Sequence, residues 1–130
     1  MSVVIRFNTG KFDVTRERAN PINPIFGESL LSWLKQALEP AHNIDKPEPE
    51  DWGWYAHVLW EGRRFMLGSS ASDEEDGERE WVLQVVPQRS LKERLLGHGK
   101  VTPEHPLVQH LVRVLSQEGA FVGVSVESAA

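Results

Sequence analysis

The sequence predicts an α+β domain of two layers, in which two main helices pack on one face of a mostly antiparallel sheet of about five strands. Three patterns lead to this fold class. Alternating apolar residues at 54–60 and 63–68 flank a tight Glu61-Gly62 turn, which is typical of a β-hairpin. Single strand patterns stand near both ends of the chain, and two amphipathic helical patterns accompany them. The predicted order in this single domain, 1–130, is strand, helix, three strands, helix, strand.

The first third of the chain predicts one strand and one helix. The strand pattern alternates apolar and less apolar residues over 3–7. The helix begins near Phe26 and ends before Pro40, because its apolar residues recur at helical spacing with polar residues between them. Prolines stand among acidic residues at 39–50, so this segment predicts a surface connection rather than a helix or an interior strand.

The middle of the chain extends the hairpin into a three-stranded meander. Its third strand is predicted at 81–86, after an acidic loop at 72–80. Carboxylates at this density repel one another, so we expect the loop to be solvated and mobile. A brief helical segment is predicted at 90–96, since Gly97 follows it and favours the end of a helix.

The last part of the chain predicts the second main helix and the final strand. The helix is expected to begin with Thr102 as N-cap and Pro103 as its first residue, and Gly119 is placed to end it. The final strand is predicted at 121–126. Its inward-facing residues are expected to be Val122, Val124 and Val126.

The two-residue turn fixes the register of the hairpin, because it sets Val58 opposite Phe65 and every other pair follows. One face is then apolar and is the predicted core face: Trp54, Ala56, Val58, Phe65 and Leu67. The other face is mixed in character, with Tyr55, His57, Leu59, Arg64, Met66 and Gln84.

The mixed face has two interpretations. Tyr, Arg and Met are enriched in protein interfaces, which predicts that these six residues bind a protein partner. An ordinary solvated sheet also carries scattered aromatic and aliphatic residues that pair only across strands. A one-residue shift in register would exchange the two faces.

Charge and composition narrow the classes of partner. The formal net charge of −5 argues against sequence-independent binding to nucleic acid, which needs clustered Lys and Arg, and permits a basic protein partner. The chain contains no cysteine, which excludes disulfides and cysteine-ligated metals. No apolar run approaches the length of a membrane span, and the first residues do not resemble a secretory signal. We therefore expect a cytoplasmic protein without a membrane partner.

No motif carries catalytic, metal or cofactor chemistry at a diagnostic spacing. His57 could act as a general base with Ser69 or Ser70 as nucleophile, but no Gly-x-Ser-x-Gly motif surrounds either serine. His105 and His110 are five residues apart, so they do not share a helix face as a pair of metal ligands would. The prediction is a protein without catalytic residues, bound metal or cofactor.

The sequence is also compatible with three other hypotheses. The acidic loop could contact a basic partner through Asp73, Glu74, Glu75 and Asp76, although it lacks the ligand pattern of a calcium loop. A small ligand-binding domain or enzyme could have a pocket near Trp52, Trp54, His57 and Arg64. The chain could be a monomer, or a homodimer in which the last strand pairs with that of a second copy.

Residues 50–55, Glu-Asp-Trp-Gly-Trp-Tyr, carry a resemblance to a protein class. Together with the hairpin, the acidic loop, the strand that begins at Trp81 and the late helix, they resemble small bacterial α+β proteins. Some of these proteins in turn resemble immunity proteins, which neutralise bacterial toxins. The resemblance covers roughly residues 50–126, and it implies stoichiometric binding of a protein rather than catalysis.

Overall fold

Six strands form one antiparallel sheet in the computed structural model, which describes residues 2–129. The strands are β1 (Ser2–Thr9), β2 (Glu48–Glu50), β3 (Gly53–Trp60), β4 (Arg63–Ala71), β5 (Arg79–Pro87) and β6 (Val122–Ala129). Their order across the sheet is β2-β3-β4-β5-β1-β6. The helices are α1 (Glu28–Leu38), α2 (Leu91–Leu96) and α3 (Pro106–Gln117). The predicted α+β class is confirmed, with one strand more than expected.

The additional strand is β2, in the proline-rich segment where a surface connection was predicted. It pairs with β3 over three residues, and Glu48 lies opposite Tyr55. Pro49 has no N–H to donate, and proline is tolerated in a strand when that strand lies at an edge of the sheet. The composition excluded an interior strand correctly, but it could not show that an edge strand forms.

The register predicted for the hairpin is confirmed, because Val58 lies opposite Phe65 and all other pairs follow. Glu61 and Gly62 have φ values of 48° and 79°. Positive φ at both positions is what a type I′ turn requires, and this turn matches the twist of the strands that it joins.

The core lies between one face of the sheet and the helices α1 and α3. Trp54, Phe65 and Trp81 are each 1% exposed on the sheet side. The helices contribute a row of buried residues to the same cluster: Leu30, Leu31, Leu34 and Leu38 from α1, and Leu107, Val108, Leu111 and Leu115 from α3. We call the face turned away from these helices the open face; side chains from connecting segments reach it at a few points, among them Trp52, whose ring lies over Gly68.

The second main helix begins three residues later than predicted. Its N-cap is His105, whose Nδ1 accepts a hydrogen bond from the Leu107 N–H at 3.1 Å, and its first residue is Pro106. Thr102 instead closes a turn, since its carbonyl accepts a hydrogen bond from the His105 N–H at 3.0 Å. The prediction failed because Pro103 and Pro106 both satisfy the preference for proline at the start of a helix.

The start of the final strand also differs from the prediction. A register irregularity between Arg6 and Asn8 changes the pairing of β6 with β1. Val122 is therefore 55% exposed, whereas Phe121 lies in the core with its ring centroid 4.6 Å from that of Phe7. A bulge adds a residue on one strand, and this exchanges the faces of the residues beyond it.

The acidic loop continues the β4–β5 hairpin with further backbone hydrogen bonds. The Ser72 hydroxyl accepts a hydrogen bond from the Glu80 N–H at 2.9 Å. Glu75 and Glu78 bond to each other through their backbones, and Asp76 has a φ of 53° in the turn between them. The carboxylates point into solvent as expected, so their repulsion does not prevent the backbone from pairing.

Candidate functional site

Trp52 and Trp54 lie on opposite faces of the sheet, although residues two apart in a strand normally share a face. Trp52 lies in the turn between β2 and β3, and Gly53, the first residue of β3, follows it with a φ of 145°. Trp54 is buried in the core and donates its indole N–H to the Ile25 carbonyl at 3.2 Å. The outer edge of the Trp52 ring covers Gly68 on the open face, where a Cβ would lie 2.7 Å from the ring.

The open face carries all six residues that the sequence selected as partner-binding. Leu59 is 58% exposed and Arg64 is exposed. The other four are half-buried against their neighbours: Tyr55, His57, Met66 and Gln84. Trp52 extends this surface, since Gly68 beneath it lies opposite Tyr55. Sequence reasoning missed this role for Trp52, although a glycine within a strand is a signal of close approach by another group.

His57 is held in place on the open face by polar neighbours on both sides of its ring. Its Nδ1 lies 3.5 Å from Asp45 Oδ2, and its Nε2 lies 3.2 Å from the side-chain amide nitrogen of Gln88. The Asp45 carboxylate also accepts a hydrogen bond from the His57 backbone N–H at 2.6 Å. Ser69 lies opposite Trp54 on the core face, so it cannot serve as a nucleophile for this histidine.

The acidic loop lies at the end of the sheet remote from the Glu61-Gly62 turn. A depression of about 370 Å³ is lined almost entirely by polar and acidic side chains there: Asn8, Ser72, Asp73, Glu75, Asp76, Glu78 and Glu80. Arg6 compensates part of this charge, because it bonds Glu80 at 3.4 Å and Glu127 at 3.1 Å. These pairs are exposed to solvent and add little stability, so the loop keeps a large negative charge.

A second depression, of about 460 Å³, connects the aromatic and acidic parts of the surface. Its lining includes Trp52, Val82, Asp73 and Glu80. It does not include His57 or Arg64, and Trp54 lies on the other face of the sheet. The structure therefore does not bring Trp52, Trp54, His57 and Arg64 together in one pocket.

The helix α2 is attached at the opposite end of the sheet by an ion pair that sequence reasoning missed. The Glu93 carboxylate accepts hydrogen bonds from the Arg63 guanidinium and from the Ser90 backbone N–H. These bonds lower the pKa of Glu93 to about 2. Beside this pair, Trp60 stacks on His42, with a centroid distance of 4.4 Å.

A cluster of aromatic rings forms where the β3–β4 hairpin meets α3. The His110 ring lies 5.4 Å from His42 and 5.6 Å from Trp60, measured between centroids. Burial lowers the pKa of His110, and the nearby His42 and Arg113 lower it further. The pKa of His105 is also lowered, mainly by burial. Both histidines therefore favour the neutral form in the folded protein.

We expect the free energy of unfolding to fall between about pH 7.5 and about pH 5.5, because the unfolded chain binds protons at His110 and His105 before the folded protein does. His110→Gln should reduce the slope of this dependence, and the matched exposed variant His98→Gln should not. Urea unfolding at several pH values measures the slopes. Equal slopes for the wild type and His110→Gln would show that this cluster does not govern the dependence.

Comparison with known proteins identifies no relative of this chain. No protein-family model, curated protein or solved structure matches the chain. Within residues 2–129, no group of three or more His, Asp or Glu side chains is arranged to hold a metal ion. In the same part of the chain, no helix has the length and apolar character that crossing a membrane requires.

Proposed function

We propose that this chain is a non-catalytic protein-binding module whose contact surface is the open face of the sheet together with the adjoining acidic loop. One observation carries the proposal: Trp52 crosses to the open face and lies over Gly68, beside Tyr55. A tryptophan that is 37% exposed beside a tyrosine offers a large rigid contact area. Tryptophan and tyrosine are among the residues that contribute most of the binding energy in protein interfaces.

The chemistry of the surface indicates the kind of partner. Its centre is aromatic and apolar, and the depression beside Trp52 leads directly to Asp73 and Glu80 of the acidic loop. A partner that covers the centre would also meet these carboxylates. A basic patch on the partner would therefore be attracted from a distance and oriented on contact.

The resemblance to bacterial immunity proteins suggests a more specific version of this function. In that version the chain is an inhibitor that covers a basic surface of a toxin and acts by stoichiometric binding. The six open-face residues would supply the buried contacts, and Asp73, Glu74, Glu75 and Asp76 would accelerate the encounter. The pocket of a ligand-binding protein or enzyme receives no comparable support, since the four residues expected to line it lie on two faces.

Affinity capture from the native host followed by mass spectrometry would identify the partner, and the decisive step is measurement of its Kd with purified variants. Tyr55→Ala and Arg64→Ala should each weaken binding by about tenfold or more, because tyrosine and arginine are among the side chains whose truncation costs most in protein interfaces. Arg113→Ala provides the matched control, since it removes an exposed arginine from α3 on the helical side.

All three variants should keep the thermal stability of the wild type, because the replaced side chains lie outside the core. If Tyr55→Ala and Arg64→Ala bind the partner as tightly as Arg113→Ala does, the open face is not the contact surface. If no protein is captured by the wild-type chain under any condition, the proposed function itself is contradicted.

A further inference from the structure

The helix α2 presents its apolar side to solvent and its acidic side to the protein. Leu91 and Leu95 are 72% and 78% exposed, and Leu96 is 56% exposed. Glu93 lies on the opposite side of the helix, where it bonds Arg63. No residue of α2 is buried. A surface helix usually turns its leucines toward the core, so this orientation needs another explanation.

The exposed leucines lie on a helix whose two ends are both fixed by hydrogen bonds. Ser90 and Glu93 form a complete capping box, with hydrogen bonds of 3.1 Å in both directions. Gly97 ends the helix with a φ of 72°, and the Arg89 guanidinium bonds the His98 carbonyl at 2.9 Å. Both ends of the helix are thus fixed by polar bonds, and the leucines project from a defined support.

Positive charge is concentrated in the same part of the chain. Residues 88–101 contain four Lys or Arg and a single carboxylate, Glu93, although the whole chain has a net charge of −5. Glu93 is already paired with Arg63, so the surrounding cations are Arg89, Lys92, Arg94 and Lys100. The acidic loop lies at the far ends of β4 and β5, about 30 Å away for nine-residue strands. The molecule therefore has one basic end and one acidic end.

The arrangement of the leucines indicates the shape of what they contact. At 100° per residue, Leu91 and Leu95 are about 40° apart, and Leu96 is about 100° beyond Leu95 with Lys92 between them. A helix that binds in a groove needs a narrow stripe over several turns, which six residues cannot provide. A second copy of α2 would bring like charges together. A flat, negatively charged surface with an apolar interior fits α2, because the interior would accept the leucines and the negative charge would attract the cations.

We propose that α2 and its flanking cations bind the surface of an anionic phospholipid bilayer. The three leucines would enter the boundary between headgroups and acyl chains, while Lys92, Arg94 and Lys100 would lie among the lipid phosphates. Such binding is attachment at the bilayer surface and needs no membrane-spanning helix. The proposal differs from the sequence-based expectation that the protein has no membrane partner. It does not rest on the proposed function, because the open face is a separate surface.

Flotation of the full chain with lipid vesicles tests the proposal. Vesicles of equal parts phosphatidylcholine and phosphatidylglycerol should carry about tenfold more protein than vesicles of phosphatidylcholine alone, and high salt should reduce the difference. The double variant Leu91→Ser/Leu95→Ser should lose most of the binding. Lys92→Gln/Arg94→Gln should lose the preference for the anionic lipid. Circular dichroism confirms that each variant is folded.

Val122→Ser is the matched control, since it removes an apolar side chain that is 55% exposed on β6. It should bind vesicles like the wild type. The proposal is overturned if the wild type does not float with anionic vesicles. In that case an acidic protein, rather than a bilayer, would remain as the partner of α2. The proposal is also overturned if the double leucine variant floats as well as the wild type, or if Val122→Ser loses as much binding as the leucine variant.

Discussion

Gly53→Ala is expected to destabilise the protein by about 3 kcal/mol or more, because it combines a disfavoured backbone conformation with a clash. The φ of Gly53 is 145°, a value that residues with a Cβ rarely adopt. An added Cβ would lie 2.3 Å from the Ser69 carbonyl oxygen. Because that oxygen belongs to the backbone, β3 and β4 would have to separate locally. Urea unfolding at neutral pH measures the loss.

Two glycine variants serve as controls for this prediction. Gly62 has a φ of 79° and no atom within 4 Å of an added Cβ, so Gly62→Ala should cost only about 1 kcal/mol from the backbone conformation. Gly119 has neither restriction, and Gly119→Ala should leave stability nearly unchanged. If Gly53→Ala costs no more than Gly62→Ala, the close approach to Ser69 does not limit this position.

Trp54→Ala should cost about 3 to 5 kcal/mol, the range for truncation of a buried tryptophan to alanine. Trp54 is 1% exposed, donates a hydrogen bond to the Ile25 carbonyl and has the Arg18 guanidinium 5.1 Å from its ring. The variant therefore loses core packing and also the contact that holds the segment before α1 against the sheet. The shift of the unfolding midpoint in urea, with an unchanged m-value, measures the loss.

A pair of milder variants separates the hydrogen bond from the packing. Trp54→Phe leaves the Ile25 carbonyl without its donor. Trp81→Phe removes an indole N–H that is buried and has no hydrogen-bond partner among the described residues. An unsatisfied buried donor is unfavourable, so Trp81→Phe should be the less costly of the two. Equal losses would mean that the bond from Trp54 to Ile25 contributes nothing to stability.

The hairpin and the brief helix show what local sequence can specify. Glu61-Gly62 selects the turn, the turn sets Val58 opposite Phe65, and the faces of β3 and β4 follow. The segment at 90–96 was likewise predicted correctly as a helix that ends at Gly97. In both cases the deciding residues are neighbours along the chain, so no distant contact is needed to choose the structure.

The errors arose where two local solutions were equally good or where pairing with a distant strand decided the outcome. Pro103 and Pro106 could each begin α3, and the helix begins at the second, where the His105 side chain caps the Leu107 N–H. Phe121 and Val122 exchanged faces because of an irregularity in the pairing with β1, which lies more than a hundred residues earlier in the chain. Local patterns carry no information about such an irregularity.

The sequence by itself determined the α+β class, the register of the hairpin and the face on which Tyr55 and Arg64 stand, since period and turn chemistry are local properties. Only the tertiary structure decided that Trp52 covers Gly68 on the open face and that α2 turns its leucines outward. The first depends on the backbone at Gly53 and its fit against Ser69, and the second on the bond from Glu93 to Arg63, thirty residues apart. Contacts between distant segments set both orientations, and therefore both proposed binding surfaces.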